Sequence, residues 1–286
     1  MRFVALRGGV GRLEDDGTVA VLDVAYGGLG EFLAEGEPLA WLARAAVRSR
    51  LAYGEGLASP VRPGSAVWGV GLNYRSKQVA TRRRVAEQPV LFLKAPGALT
   101  GGAIALPSQA PGCVDYEGEI AVVVGRHLHD AAPDVAVRAV IGVVAANDVT
   151  ARDVMRTTGN PSLAKSFPGF GQFGAVVADP ESIGGFAGIE VRTTVNGQLR
   201  QHDHGDGMIL PVGELLALIS RYTLLRPGDI VLTGTPAGTG DELGRYLAPG
   251  DVVEVGLGDL PPLCSRVVSS SLSDGQRQPL TAGGKK

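Results

Sequence analysis

Two apolar runs with carboxylates set at their ends constrain this chain more than any other feature. Residues 120–124 and 140–146 carry no charged side chain and are rich in Val and Ile. Runs of this length, the first closed by Gly125, read as strands buried on both faces. Glu117 and Glu119 head the first run, and Asp148 follows the second. Side chains alternate along a strand, so Glu117 and Glu119 point to the same side. Carboxylates within such strands need a partner or a metal. Three convergent carboxylates form an oxygen-only site for a hard divalent ion, Mg2+ or Mn2+. An isolated Glu-x-Glu more often marks two solvated glutamates on an exposed face, and the apolar surroundings weigh against that here.

Composition narrows the class. The 286 residues suffice for one large domain and a small one. With 27 basic and 29 acidic side chains, the net charge is −2, and no basic field points to nucleic acid. Cys113 and Cys264 do not make a disulfide framework and read as free thiols of a reducing cytoplasm. A thiolate at Cys113 is a poor ligand for a hard ion. The N-terminus opens on a strand-like stretch without a signal sequence, and no apolar run is long enough to cross a membrane. A cytoplasmic enzyme is the expectation.

Residues 1–60 read as a small N-terminal α/β domain. Strand-like residues 2–6 and 18–22 are joined through the turn Asp15-Asp16-Gly17, and a helix is expected over 38–51, started by Pro38. After a linker at 60–64, residues 61–268 are strand-rich, with a helix near 212–222. Strand and helix do not alternate as in a doubly wound fold, so the expected class is mixed, β-rich α+β. The polar, Gly-rich tail, residues 269–286, is expected to be disordered.

Six stretches, in order, resemble the fumarylacetoacetate hydrolase superfamily, which includes 2-hydroxyhepta-2,4-diene-1,7-dioate isomerases. They are Gly69-Val-Gly-Leu-Asn-Tyr-Arg75, residues 89–94 with 105–107, residues 115–125, residues 147–153, Ala164-Lys-Ser-Phe167 and residues 225–240 with Val195-Asn-Gly197 before them. The resemblance implies a β-sandwich or roll, a homodimer, and a small acidic 2-oxo acid or β-dicarbonyl substrate. A metal held by Glu117, Glu119 and Asp148 keeps open positions and stabilises an enolate. By resemblance, Lys165 is a cationic substrate anchor, and Arg152 either pairs a carboxylate or binds substrate. Tyr74 and Arg75 are candidate substrate contacts. So is the turn Thr233-Gly234-Thr235, whose N–H groups can face an anion; it also reads as a plain tight turn.

The departures from the family pattern matter more. Where hydrolases of the family carry a histidine and, three residues on, a glutamate that together activate water, this chain has Lys77 and Ala80. Met155 stands for a frequent glutamine, and Pro168 for a polar residue. Lys77 is a base only if neighbours such as Arg75, Arg82, Arg83 and Arg84 depress its pKa. Otherwise it belongs to a basic lid over residues 77–84, or to a solvated loop. His202 and His204 flank Asp203 in an expected loop. Three readings follow. One is an isomerase, decarboxylase or other lyase using metal-stabilised enolate chemistry, open to recruitment into specialised metabolism. Another is a hydrolase of acylpyruvate-like C–C bonds. The third is a catalytically silent homologue acting as a binding subunit.

Overall fold

In a computed structural model describing residues 1–82, 89–99, 102–107 and 112–269, the two apolar runs become the longest strand pair of the molecule. The strands Gly118–Val124 and Val140–Asp148 run antiparallel, with Ile120 opposite Ala145 and Glu119 opposite Ala146. All of the first strand and the last seven residues of the second are buried. The period-two alternation of a strand explains why. Ile120, Val122 and Val143 join a core with Val191, Val253 and Val255 of a second sheet. Ala121, Val123 and Val144 join another with Phe3, Leu29, Phe32 and Leu33. The pair is thus the middle layer of the molecule, covered on both faces.

The large sheet has 11 strands. Its central part runs Arg2–Leu6, Val176–Ala178, Val140–Asp148, Gly118–Val124, Ile230–Leu232, Val67–Val70, Leu91–Lys94. A five-stranded sheet packs over one face, in the order Gln198–His204, Glu190–Val195, Val252–Leu257, Leu263–Ser269, Ile104–Leu106. The β-rich mixed architecture and the sandwich are as expected.

The first 60 residues extend the large sheet. Phe3 pairs with Val177 across its strand boundary, and Phe32 and Leu33 enter the core beneath. Two details differ from expectation. The strand Gly9–Leu13 intervenes between residues 2–6 and 18–22, so the Asp15-Asp16-Gly17 turn joins Gly9–Leu13 to Thr18–Leu22. The helix expected over 38–51 is only Leu39–Leu42, and Val47–Ala52 is instead an edge strand paired to Thr18–Leu22. Pairing to an existing sheet outweighs the helical spacing there, and Arg48 and Arg50 are the charges that exposed edges tolerate. The expected helix near 212–222 is present as Val212–Ser220. The tail 270–286 and the lid residues Arg83 and Arg84 lie outside the described residues. No helix among the described residues is long and apolar enough to cross a membrane.

One buried side chain ties the site loops together. Asn73 Nδ2 donates to the carbonyls of Leu210 at 3.0 Å and Thr233 at 2.8 Å, and its Oδ1 accepts from the Leu210 N–H at 2.7 Å. Gly234, at φ +97°, lies so close that a Cβ there would sit 2.9 Å from Asn73 Cβ. Removing the amide leaves buried backbone groups unpaired, at about 1–3 kcal/mol each. Asn73→Ala is therefore expected to lose about 2–4 kcal/mol of stability in urea unfolding. A loss below about 0.5 kcal/mol would mean the three bonds are not holding these loops.

Candidate active site

Strand register assembles the acidic cluster. The Glu117 N–H donates to Asn147 Oδ1 at 3.0 Å, and the Asp148 N–H donates to the Glu117 carbonyl at 2.8 Å. These bonds bring Glu117, Glu119 and Asp148 together, with ligand oxygens all within 4.8 Å of one another. All three are buried, at 6%, 2% and 1% exposure.

Cations from other elements surround the cluster. Lys165, just after the helix Pro161–Ala164, donates to Asp148, to Glu117 Oε2 at 2.5 Å and to Thr150 Oγ1 at 2.9 Å. Arg152 opens the helix Arg152–Thr158, donating to Asp115 at 2.7 Å and Glu117 at 2.5 Å. Lys94, at the end of the strand Leu91–Lys94, donates to Asp148. Four carboxylates thus meet three cations.

The electrostatics are uneven. Burial alone would raise the Glu117 carboxyl, but Arg152 and Lys165 hold it well below the usual range. Burial works against the Lys165 ammonium, and Asp148 and Glu117 more than offset it. Burial lowers Lys94 despite the Asp148 partner. Glu119 is the exception. Burial, Asp148 and Glu117 push it well above the usual carboxylate range. Its single hydrogen-bond partner among the described residues is the Gly234 N–H, at 2.7 Å.

Glu117 and Glu119 of the cluster line a cavity of about 410 Å³, together with Arg152, Lys165 and Thr235. Val70, Leu72, Val90, Phe92 and Met155 make an apolar wall, and Lys77, Arg156 and Asp241 line it as well.

The other candidate residues are placed unevenly. Lys77 lies on the helix Arg75–Thr81, pairs with Glu242 and donates to Thr239 Oγ1 at 2.8 Å. Tyr74 is fully buried outside the cavity lining, with no hydrogen-bond partner for its hydroxyl among the described residues. Arg75 is exposed and donates to the Asp206 carbonyl at 2.7 Å. Thr233 Oγ1 donates to the Ile120 carbonyl and Thr235 Oγ1 to the Gly118 carbonyl. The Thr233–Thr235 turn therefore grips the central strand, and Thr235 alone of the three lines the cavity. His202 and His204 lie on the strand Gln198–His204, not in a loop, and His202 Nε2 is 2.9 Å from Glu190. Lys94, Asp115, Asp241 and Glu242 were not singled out from sequence. Lys94 and Asp115 sit inside recognised motifs, whereas Glu242 is distant from Lys77 and carries no local signal.

Residues 66–268 match the family model described as fumarylacetoacetate (FAA) hydrolase C-terminal. The chain belongs to the fumarylacetoacetate hydrolase family. It is 38% identical over 201 residues to an uncharacterized protein of Archaeoglobus fulgidus, covering 68% of this chain and 75% of the relative. Its structure resembles a fumarylacetoacetate hydrolase from Exiguobacterium antarcticum, with TM-score 0.81, 30% identity and coverage of 94% and 99%. It also resembles a 2-hydroxyhepta-2,4-diene-1,7-dioate isomerase from Mycobacterium marinum, with TM-score 0.74, 29% identity and coverage of 95% and 99%. The family's structures thus include both hydrolases and isomerases.

The site of this family member suits a divalent ion. The donor set is all oxygen, and Glu119 is a buried carboxylate without an ion pair among the described residues. Because Glu119 holds its proton further up the pH scale than usual, a cation must displace that proton. Mn2+ affinity is therefore expected to rise with pH and to release protons, read by titration calorimetry in buffers of different ionisation enthalpy. Glu119→Gln is expected to weaken binding by more than about 100-fold, beyond the loss typical of outer-shell partners. An affinity that ignores both pH and this substitution would place the ion elsewhere.

Proposed function

We propose that this protein is a divalent-metal-dependent enzyme acting on a 2-oxo acid or β-dicarbonyl substrate through its enolate. The chemistry is of the isomerase or decarboxylase type. The observation that carries this reading is the state of Lys77. It stands where hydrolases of the family place a water-activating histidine, and its ammonium donates to Glu242 and to Thr239 Oγ1. An ammonium so engaged offers no lone pair to water. Ala80, in the place of the partner glutamate, is exposed and has no titratable group.

Glu117, Glu119 and Asp148 would hold the ion, which when bound supplies Lewis acidity toward carbonyl and carboxylate oxygens. Lys165, kept protonated by Asp148 and Glu117, would anchor the substrate's carboxylate by exchanging one of its three bonds to Asp148, Glu117 and Thr150, and is the acid placed to return a proton. Arg152 keeps Glu117 ionised and in place. Val70, Leu72, Phe92 and Met155 exclude water from one side, so each charge acts in a poorly screening medium. The isomerase relative acts on an unsaturated 2-hydroxy acid, the enol form of a 2-oxo acid, in keeping with this class.

The test is turnover with Mg2+ and Mn2+ on acylpyruvates, oxaloacetate and an unsaturated 2-hydroxy acid. Decarboxylation or isomerisation is expected, lost by about 10^3-fold in Glu119→Gln and by less than about 10-fold in Lys77→Ala. Hydrolytic C–C cleavage abolished by both substitutions would make Lys77 the base and overturn the proposal.

A further inference from the structure

We propose that the cavity selects 2-oxo acids with one carboxylate and an apolar tail, and that Glu242, seconded by Asp241, enforces this by neutralising two further cations that line it, Lys77 and Arg156. The inference rests on the 2-oxo acid reading above and adds which members of that class fit.

Charge at the acidic cluster sets the first condition. Asp115, Glu117, Glu119 and Asp148 face Lys94, Arg152 and Lys165. Counted as fully ionised, these groups and a divalent ion would sum to one positive charge, the complement of one carboxylate.

The remaining cations of the lining set the second condition. A distal carboxylate needs a cation to replace its lost hydration. Among the described residues the other two cations lining the cavity are Lys77 and Arg156, and both are already paired. Glu242 pairs with Lys77, and Asp241 with Arg156. The two acids are consecutive in the short helix Gly240–Leu243. Glu242 is held by the Gly238 N–H at 2.8 Å and by Thr239 Oγ1 at 3.2 Å. Asp241 accepts from Tyr246 Oη at 2.7 Å, and its own N–H donates to Asp115 at 3.0 Å. A second substrate carboxylate would therefore find both of these cations already neutralised. Specificity built this way withholds the partner that the competitor needs.

The two pairs are not equal. The Lys77 and Glu242 side chains are 12% and 13% exposed, whereas Arg156 is 53% exposed. Solvent screens the Arg156 pair, so Glu242 carries most of the discrimination. Part of the lining is apolar, and Met155 stands where relatives of the family often carry a glutamine. That wall suits a hydrocarbon tail.

The experiment compares two ligands of equal carbon number, 2-oxohexanoate and 2-oxohexanedioate, by titration calorimetry on the full chain with Mg2+. Wild type is expected to bind the monoacid at least about 10-fold tighter, the size expected when a charged group is left unpaired. Glu242→Gln is expected to cut that ratio at least about 5-fold, mainly by tightening the dioate, and Asp241→Asn to cut it less. A variant that is only destabilised weakens both ligands and leaves their ratio alone, and the wild-type comparison needs no variant. Equal or tighter binding of the dioate by wild type overturns the inference and leaves the 2-oxo acid reading standing. A ratio unmoved by Glu242→Gln also overturns it. Binding of neither ligand overturns the 2-oxo acid reading and the inference together.

Discussion

Excess negative charge buried beside the central strand pair, at the wall of a cavity, is the constraint on which this structure depends. Glu117, Glu119 and Asp148 lie in the layer covered on both faces, where an uncompensated carboxylate costs several kcal/mol. Compensation comes from three separate elements: the strand Leu91–Lys94, the residue after the helix Pro161–Ala164, and the start of the helix Arg152–Thr158. Each reaches the cluster only because the sheets position it. The fold and the site are therefore one problem. The strands converge where their charges are answered, and the one carboxylate of the cluster with no ion pair among the described residues, Glu119, is the one at which a divalent ion has most to gain.

The parts of this arrangement readable from sequence are those set by local periodicity. Glu117 and Glu119 share a face because a strand alternates, and the apolar residues after them say that the strand is covered on both sides. Lys165 and Arg152 are readable through the motifs that contain them. The pairing of Lys77 with Glu242 is not, because nothing near either residue announces a partner more than 160 positions away. Residues 38–51 fail for a related reason. Their apolar spacing fits a helix, yet an open edge at Thr18–Leu22 recruits Val47–Ala52 as a strand. Local preference loses to a distant hydrogen-bonding template.

Lys77 shows how one substitution changes what a frame can do. The helix Arg75–Thr81 delivers a side chain to the cavity wall whether that residue is an imidazole or an ammonium. An imidazole has a nitrogen able to accept a proton near neutral pH, whereas an ammonium clasped by a carboxylate supplies only charge and donors. A hydrolase and an isomerase both resemble this chain over nearly its whole length, so the scaffold alone does not fix the reaction.

The pairing of Arg2–Leu6 with Val176–Ala178 has a consequence for how the family is built. The family model begins at residue 66, yet Phe3, Leu29, Phe32 and Leu33 are the cover over Ala121, Val123 and Val144. Cut back to the matched part, the molecule would carry a raw strand margin and a bare greasy face directly behind its acidic cluster, an invitation to clump. The leading sixty residues are therefore a lid on the back of the catalytic layer. Any relative that dispenses with them must close the same breach with a different segment or a second chain.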